Sequence, residues 1–158
     1  MNASTAFSVD AGGQRWFATS DVGEWTDGLL TVTGRLDDII NTGGLKVAPA
    51  QVEAALQTLP WVGEAVVVGV PDPEWGQRVA ALLVSPVERT GPAAVVAHQP
   101  DVTQVRNALR DRLPPHALPR QVVWAAAADV VTLPSGKPDR AAARSALSGS
   151  DGRMADHS

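Results

Sequence analysis

The chain contains no cysteine and no tyrosine, and only two of its 158 residues are phenylalanine. The absence of cysteine excludes disulfide bonds, thiolate metal ligands and cysteine nucleophiles. Histidine is also scarce, and His98, His116 and His157 show no spacing that would place two of them on one metal ion. The sequence therefore predicts no metal site.

Long apolar runs and an excess of basic residues are missing as well. No stretch approaches the roughly 20 apolar residues that span a bilayer, and residues 1–5 lack the basic and apolar regions of a signal peptide. The chain has 13 Lys and Arg against 17 Asp and Glu, a net charge of −4, whereas nucleic-acid-binding proteins usually carry a basic stripe. These features predict a cytoplasmic protein that binds no membrane and no nucleic acid, although a few local cations would suffice for one nucleotide.

The residues that are present suit one ordinary domain with a packed core, because 44% of them are hydrophobic. Pro49 suits the first turn of a helix that places Val52, Leu56 and Leu59 on one face, and Asp101 is placed to cap a second helix. Two strands at 64–70 and 78–84, a third at 121–124 and a final helix at 139–147 complete the predicted elements. The order predicts an α+β fold in which a small, mainly antiparallel sheet is flanked by helices.

The two ends of the chain look different from this middle part. Residues 1–14 and 148–158 are polar, and we expect both to be disordered. Between them, residues 16–19 and 29–33 are predicted to form a hairpin through a turn at residues 26–28. Because a lone hairpin is marginally stable in water, this segment is expected to join a larger sheet.

Two short segments about ninety residues apart carry the chemistry. The first segment, at residues 34–44, reads GRLDDIINTGG and combines a polar turn with a paired-glycine loop. The second, at residues 135–140, reads SGKPDR and places one lysine on a loop beside a glycine. Neither segment contains a phosphate-cradling loop or a general base. The sequence therefore predicts part of an active site whose other part lies elsewhere.

These segments, together with WFATSD at residues 16–21, resemble three signatures of the C-terminal portion of the adenylate-forming superfamily, in order and spacing. That superfamily comprises acyl-CoA synthetases, peptide-synthetase adenylation domains and luciferases. Further matches lie at residues 47–53, 69–76 and 113–119, so that the resemblance covers residues 15–147. It implies that residues 15–36 are the terminal hairpin and linker of an N-terminal AMP-binding domain that this chain lacks. Residues 37–147 would then form the small C-terminal domain, which acts as a lid.

The reaction that the resemblance implies has two steps. A small carboxylic acid attacks ATP to give an acyl-adenylate and pyrophosphate, and the thiol of coenzyme A then displaces AMP. ATP and CoA are substrates, and Mg²⁺ is expected with ATP but not bound by this chain. The lid rotates between the steps on an AMP-binding domain that is in cis or in trans, and the isolated chain is expected to be inactive.

Lys137 corresponds to the lysine that serves the first step. A fixed ammonium relieves the repulsion between the α-phosphate and an anionic carboxylate, and it orients the attack. The alternative is that residues 135–138 form only a surface turn.

Asp21 resembles the family aspartate that accepts hydrogen bonds from the ribose hydroxyls, which suits a carboxylate with its paired acceptors. Arg35 resembles the arginine that reaches the ribose or a nearby phosphate, and Asp37 falls at the hinge of the lid. The alternatives are a helix or turn cap for Asp21, a surface salt bridge for Arg35 and an exposed turn for Asp37.

Gly43 and Gly44 correspond to the loop that lines the tunnel for the pantetheine arm of CoA, where a side chain would block passage. Lys46 is a weaker candidate for a contact with the thiol or a CoA phosphate. Paired glycines also make ordinary turns, which is the alternative here. Trp61 and Trp75 are interpreted as core or domain-contact residues.

The chain departs from the family pattern at residues 131–134, where Arg-Thr is often found, and at Asn41, where lysine is common. Residues 133–140 and 41–44 look most similar to 2-succinylbenzoate–CoA ligases of menaquinone synthesis. Two other functions stay open: a lid that serves a carrier protein, and a free-standing lid that regulates a separate ligase and docks through the hairpin at residues 16–33. No carrier-domain signature follows residue 147, which disfavours the first of these.

Overall fold

The computed structural model describes residues 7–17, 20–86 and 99–150. These residues form a small α+β fold with three helices and a five-stranded sheet, preceded by two two-stranded sheets. The strands are β1 (Phe7–Val9), β2 (Arg15–Phe17), β3 (Asp21–Thr26), β4 (Leu29–Arg35), β5 (Ile40–Thr42), β6 (Leu45–Val47), β7 (Glu64–Asp72), β8 (Gly76–Val84) and β9 (Gln121–Ala125), and the helices are α1 (Pro49–Gln57), α2 (Val102–Leu109) and α3 (Arg140–Ser150).

The five-stranded sheet is mainly antiparallel, as predicted. Its order is β6-β5-β8-β7, and β9 also pairs with β8. β7 and β8 form its longest antiparallel pair, from Glu64 opposite Val84 to Asp72 opposite Gly76. Only β9 runs parallel to its neighbour, which is possible because the segment with α2 gives the chain room to cross over.

The core has one layer on each face of this sheet. Val52 and Leu56 of α1 pack on one face together with residues of α2, and Ala143 and Leu147 of α3 pack on the other. Two of the three apolar residues predicted to share a face of α1, Val52 and Leu56, are buried in the helix, and the third, Leu59, is buried just beyond its end at Gln57. The period of the apolar residues therefore predicted the inner face of this helix correctly.

Local signals set the helix starts. Pro49 lies in the first turn of α1, where its missing N–H costs no hydrogen bond. Asp101 caps α2 by accepting a hydrogen bond from the Gln104 N–H over 2.8 Å, and the Gln104 side chain accepts one from the Asp101 N–H over 3.0 Å. The helix α2 ends at Leu109.

The predicted pairing of the first hairpin was wrong. The turn at Asp27 and Gly28 exists, with φ of 51° and 80°, but it joins β4 to β3 and not to residues 16–19. A two-residue loop connects strands that are directly adjacent in sequence, so the partner of β4 has to end at Thr26. β2 pairs with β1 instead, and residues 18–19 lie outside the described residues.

The disorder predicted at the chain ends was also too extensive. Residues 7–9 form β1 and residues 148–150 belong to α3, because β2 offers β1 a partner and the buried Leu147 anchors the end of the helix. The remaining residues of the two ends, 1–6 and 151–158, lie outside the described residues, as do residues 87–98.

Candidate functional site

The loop that carries Lys137 is a tight turn held by its own backbone. The Leu133 N–H donates to the Lys137 carbonyl over 2.7 Å, and the Gly136 N–H donates to the Leu133 carbonyl over 2.8 Å. Gly136 has a φ of +82°, and Pro134 takes the second position of the turn, where proline is favoured. This arrangement is the three-residue hairpin loop that needs glycine at its left-handed position.

The base of this loop is closed by a further backbone contact and joined to α3. Thr132 and Pro138 form an isolated bridge, and the Asp139 N–H donates to the Val131 carbonyl over 2.8 Å. The Asp139 carboxylate accepts two N–H groups of the first turn of α3, at 3.0 and 3.1 Å. Asp139 therefore caps α3 and fixes the point where the loop leaves the helix.

Lys137 itself is exposed, and its ammonium has no hydrogen-bond or ion-pair partner among the described residues. The backbone is that of a surface turn, as the alternative interpretation expects. The same geometry leaves the charge available to an anion from outside the chain.

Asp21 and Arg35 face each other across β3 and β4. They are Cα partners in the antiparallel register, and the Leu36 N–H closes this end of the hairpin by donating to the Ser20 carbonyl over 2.6 Å. Asp21 lies in a strand and, within the described segments, its side chain makes no hydrogen bond, so it is not a cap. The structure thus brings the two predicted nucleotide contacts to one end of one hairpin.

The predicted hinge is a short 3₁₀ turn, Leu36–Asp38, between β4 and β5. Arg35 Nη2 lies 3.4 Å from Asp37 Oδ2, and both side chains are largely exposed. This is the surface salt bridge expected as the alternative for Arg35. Exposed pairs of this kind contribute only about 0–1 kcal/mol, so the contact leaves both residues available for other partners.

The paired glycines form the turn between β5 and β6, with φ of +57° at Gly43 and +81° at Gly44. The Gly43 N–H donates to the Trp75 carbonyl over 2.9 Å, and a Cβ at Gly43 would lie 2.7 Å from the Trp75 ring. A Cβ at Gly44 would meet nothing within 4 Å. Within this chain, close approach therefore requires glycine at position 43, and backbone conformation favours it at both positions.

Trp75 and Arg120 form a platform beside this turn that the sequence did not reveal. The Arg120 guanidinium carbon lies 4.3 Å from the centre of the Trp75 ring, a cation–π distance. Arg120 is exposed, as is Lys46 on the neighbouring β6. Residues 43, 75 and 120 are too far apart in sequence for any local pattern to join them.

Asp72 holds Trp75 in place. Its Oδ1 accepts the Trp75 N–H over 3.0 Å and the Glu74 N–H over 2.9 Å, while its Oδ2 lies 3.4 Å from Arg78 Nη1. The hydrogen bond from Trp75, with smaller contributions from Glu74 and Arg78, lowers the pKa of the Asp72 carboxyl below its ordinary value of 3.8 although burial opposes the shift. The charged carboxylate is therefore part of the turn at neutral pH.

Arg140, the last residue of the second motif, is the centre of a charged cluster to which the sequence interpretation gave no role. Its guanidinium makes two contacts with Glu53, at 2.6 and 3.1 Å, and its Nε lies 3.5 Å from Asp38 Oδ2. Glu53 and Arg140 are 87 residues apart, so only the fold brings them together.

The predicted site residues thus lie in three places. Asp21, Arg35 and Asp37 lie at the end of the β3–β4 hairpin, Gly43, Gly44 and Lys46 lie around the β5–β6 turn, and Lys137 lies on its own loop. Asp38 and Arg140 connect the turn predicted as the hinge to the segment that follows Lys137.

Within residues 7–17, 20–86 and 99–150, no group of three His, Asp or Glu side chains is arranged to hold a metal ion. In the same part of the chain, no helix has the length and apolar character needed to cross a membrane.

Comparison with known proteins gives consistent matches. A family model described as AMP-binding enzyme C-terminal domain matches residues 51–137. The long-chain-fatty-acid–CoA ligase FadD13 of Mycobacterium tuberculosis is 37% identical over 131 residues, which are 81% of this chain and 23% of that ligase.

Solved structures show the same fold. A fatty acyl CoA synthetase of Mycobacterium tuberculosis matches with a TM-score of 0.65 and 32% identity, over 89% of this chain and 25% of that protein. The amide bond synthetase McbA from Marinactinospora thermotolerans matches with a TM-score of 0.70 and 36% identity, over 87% of this chain and 25% of that protein. The chain therefore spans about a quarter of the length of these proteins.

Proposed function

The chain belongs to the family of AMP-binding enzyme C-terminal domains, and on this basis we propose that it is the lid of an AMP-forming acyl-CoA ligase. The lid consists of residues 37–147, and residues 15–36 belong to the AMP-binding domain on which it closes. The exposed side chains of Trp25 and Leu29, 70% and 72% accessible on the β3–β4 hairpin, support this division because large apolar groups are usually covered by a partner surface.

The first half-reaction depends on Lys137. A carboxylate oxygen of the acid attacks the α-phosphorus of ATP, the bond from phosphorus to the bridging oxygen breaks, and pyrophosphate leaves. Negative charge accumulates on the α-phosphate oxygens during this displacement, and a preorganised ammonium stabilises it. The observation that carries this assignment is the placement of Lys137, exposed and without a partner among the described residues, on a loop that two backbone hydrogen bonds hold in shape.

The nucleotide is held by Asp21 and Arg35. The Asp21 carboxylate accepts hydrogen bonds from the ribose hydroxyls, and the Arg35 guanidinium binds the ribose or a nearby phosphate. Asp21 and Arg35 lie opposite each other on β3 and β4, which supports the proposal that both bind the same nucleotide. Mg²⁺ enters with ATP and is held outside this chain.

In the second half-reaction the CoA sulfur attacks the acyl carbon of the adenylate, the bond to AMP breaks, and the thiol proton passes to solvent. The turn at Gly43 and Gly44 lines the path of the pantetheine arm, and Lys46 lies beside it. Trp75 contacts this turn and accepts a hydrogen bond from it, which favours a turn of fixed conformation beside the pantetheine arm over a mobile loop.

The acid is recognised by the AMP-binding domain. The similar M. tuberculosis proteins, a long-chain-fatty-acid–CoA ligase and a fatty acyl CoA synthetase, favour a fatty acid. The prediction of 2-succinylbenzoate, which rests on residues 133–140 and 41–44, stays a prediction. Presenting both acids to the complete ligase, with formation of each acyl-CoA as the readout, decides between them.

The test of the proposed function is Lys137→Ala in the complete ligase. We expect adenylation to fall about 10²–10³-fold, the range typical of removing one electrostatic contact to a transition state, while thioester formation from supplied acyl-adenylate is kept. Arg110→Ala is the matched control, because Arg110 is also an exposed cation without a partner in the described segments. Equal loss of both half-reactions in Lys137→Ala would overturn the assignment.

The acceptor is tested separately. Replacing CoA by a carrier protein, or by an amine, in the second half-reaction distinguishes a CoA ligase from a lid that serves another acceptor. A free-standing regulator would bind a separate ligase and change its rate, while Lys137→Ala in the regulator would leave that rate unaffected.

A further inference from the structure

The outer edge of β7 is covered by side chains and not by another described strand. β8 pairs with one edge of β7. At the other edge, the Val67 N–H donates to Glu53 Oε1 over 2.9 Å, and the Val67 carbonyl accepts from Arg140 Nη1 over 2.7 Å. Both backbone groups of Val67 are therefore satisfied by one ion pair.

The two side chains of this pair come from opposite faces of the sheet. Glu53 belongs to α1, whose apolar residues pack in one core layer, and Arg140 begins α3, which packs in the other. They meet around the edge of β7 in a two-point contact, with Nη1 2.6 Å from Oε1 and Nη2 3.1 Å from Oε2. We call Glu53, Arg140 and the Val67 backbone the edge clasp.

The remaining side of the guanidinium faces the hinge. Arg140 Nε lies 3.5 Å from Asp38 Oδ2, and Asp38 is the last residue of the 3₁₀ turn that contains Asp37. One planar group thus contacts the hinge turn, α1 and β7, and its geometry allows little freedom once the two-point contact is made. Arg140 also lies only three residues after Lys137, directly beyond the base of its loop.

We propose that Arg140 is a positioning residue for adenylation, which fixes the Lys137 loop and the lid side of the hinge to the same edge of the sheet. When the lid turns about Asp37, Asp38 and the Lys137 loop then move as one body. The position of the ammonium is set by the hinge and not by independent motion of the loop. The proposal rests on the function proposed for Lys137, for which a displacement of about 1 Å is enough to lower the rate severely.

Arg144 provides a matched control for Arg140. It lies one turn further along α3, and its Nε donates to the Gly69 carbonyl on the same edge of β7 over 3.0 Å. Among the described residues, it makes no contact with a carboxylate of the hinge turn or of α1. Arg144→Gln therefore removes an edge contact of the same kind without touching the hinge.

The structural arm of the test uses the chain itself. Amide hydrogen exchange, followed by NMR on ¹⁵N-labelled protein, reports the loop through the Leu133 and Gly136 amides, which are hydrogen-bonded inside it. We expect Arg140→Gln to raise the exchange rate at both amides at least fivefold over wild type. The exchange rates of the β8 amides are expected to stay within twofold of wild type. In Arg144→Gln, the two loop amides are expected to stay within twofold of wild type.

The functional arm uses the complete ligase. We expect Arg140→Gln to lower the kcat of adenylation about tenfold. The KM for ATP and the rate of thioester formation from supplied acyl-adenylate are expected to stay within twofold of the wild-type values. Arg140→Lys keeps the charge and a donor to Glu53 but loses the two-point contact, so its adenylation rate is expected to lie between those of Arg140→Gln and wild type.

Unchanged exchange at Leu133 and Gly136 in Arg140→Gln would overturn the proposal, whatever happens to the rate. Equal effects of Arg144→Gln and Arg140→Gln on both readouts would also overturn it. A normal adenylation rate in Lys137→Ala would instead contradict the proposed function of the lysine. The two failures are thus distinguishable.

Discussion

A Cβ added to Gly43 would lie 2.7 Å from Cε3 of the Trp75 ring. The main chains of the two residues are also joined, by the 2.9 Å hydrogen bond from the Gly43 N–H to the Trp75 carbonyl. The turn cannot withdraw from the main chain of Trp75 without breaking this bond. The contact therefore ties the β5–β6 turn to the start of β8.

Gly43→Ala is expected to lower the free energy of unfolding by about 3 kcal/mol, the combined effect of overpacking and of a side chain at positive φ. Gly44→Ala is the matched control, because Gly44 also lies at positive φ but has open space around its Cβ, and we expect a loss of about 1 kcal/mol. Urea unfolding of both variants measures the difference. Equal losses would show that the Trp75 contact does not restrict position 43.

Asp72→Asn is expected to destabilise the chain at neutral pH and much less in acid. The folded-state pKa of Asp72 is lowered, so its stabilising contribution is present above the ordinary value of 3.8 and disappears as pH falls through the folded pKa. Thermal unfolding midpoints between pH 6 and pH 2.5 should therefore converge for wild type and Asp72→Asn.

The control for this pH dependence is Asp111→Asn, since Asp111 is exposed and has no partner in the described part of the chain. Its unfolding midpoint should follow that of wild type at every pH. A gap between wild type and Asp72→Asn that stays constant down to pH 2.5 would refute the role given to the carboxylate.

Asp37→Pro is expected to let one half-reaction proceed and to stop the other in the complete ligase. Proline restricts φ at position 37 and disfavours helical backbone at Leu36, so the 3₁₀ turn can no longer exchange freely between conformations. Asp37→Ala is the control, since it removes only the exposed contact with Arg35 and should change neither rate by more than about twofold. An unaffected overall rate in Asp37→Pro would remove Asp37 from the mechanism.

Much of the fold was predictable because its signals are local. The apolar period of α1, the β-branched run of β7 and the cap at Asp101 each decide an element within ten residues, and the structure confirms all three. The first hairpin was predicted wrongly although its turn was correct, because the strand between residues 21 and 26 shows no clear alternation and its Asp21 and Gly23 read as turn residues.

The cluster around Arg140 and the platform around Trp75 were not predictable from the sequence. Glu53 and Arg140 carry opposite charges 87 residues apart, and such pairs have no periodicity that a local pattern would reveal. Their proximity follows from the packing of α1 and α3 on opposite faces of one sheet, which only the three-dimensional structure shows.

The edge clasp also bears on how copies of this protein meet. An uncovered strand edge offers unpaired N–H and C=O groups to any other strand, which is a common route to aggregation. Glu53 and Arg140 already occupy both groups of Val67, and Arg144 occupies the carbonyl of Gly69. The side chains that contact this edge thus also keep the sheet of one molecule from extending into the next.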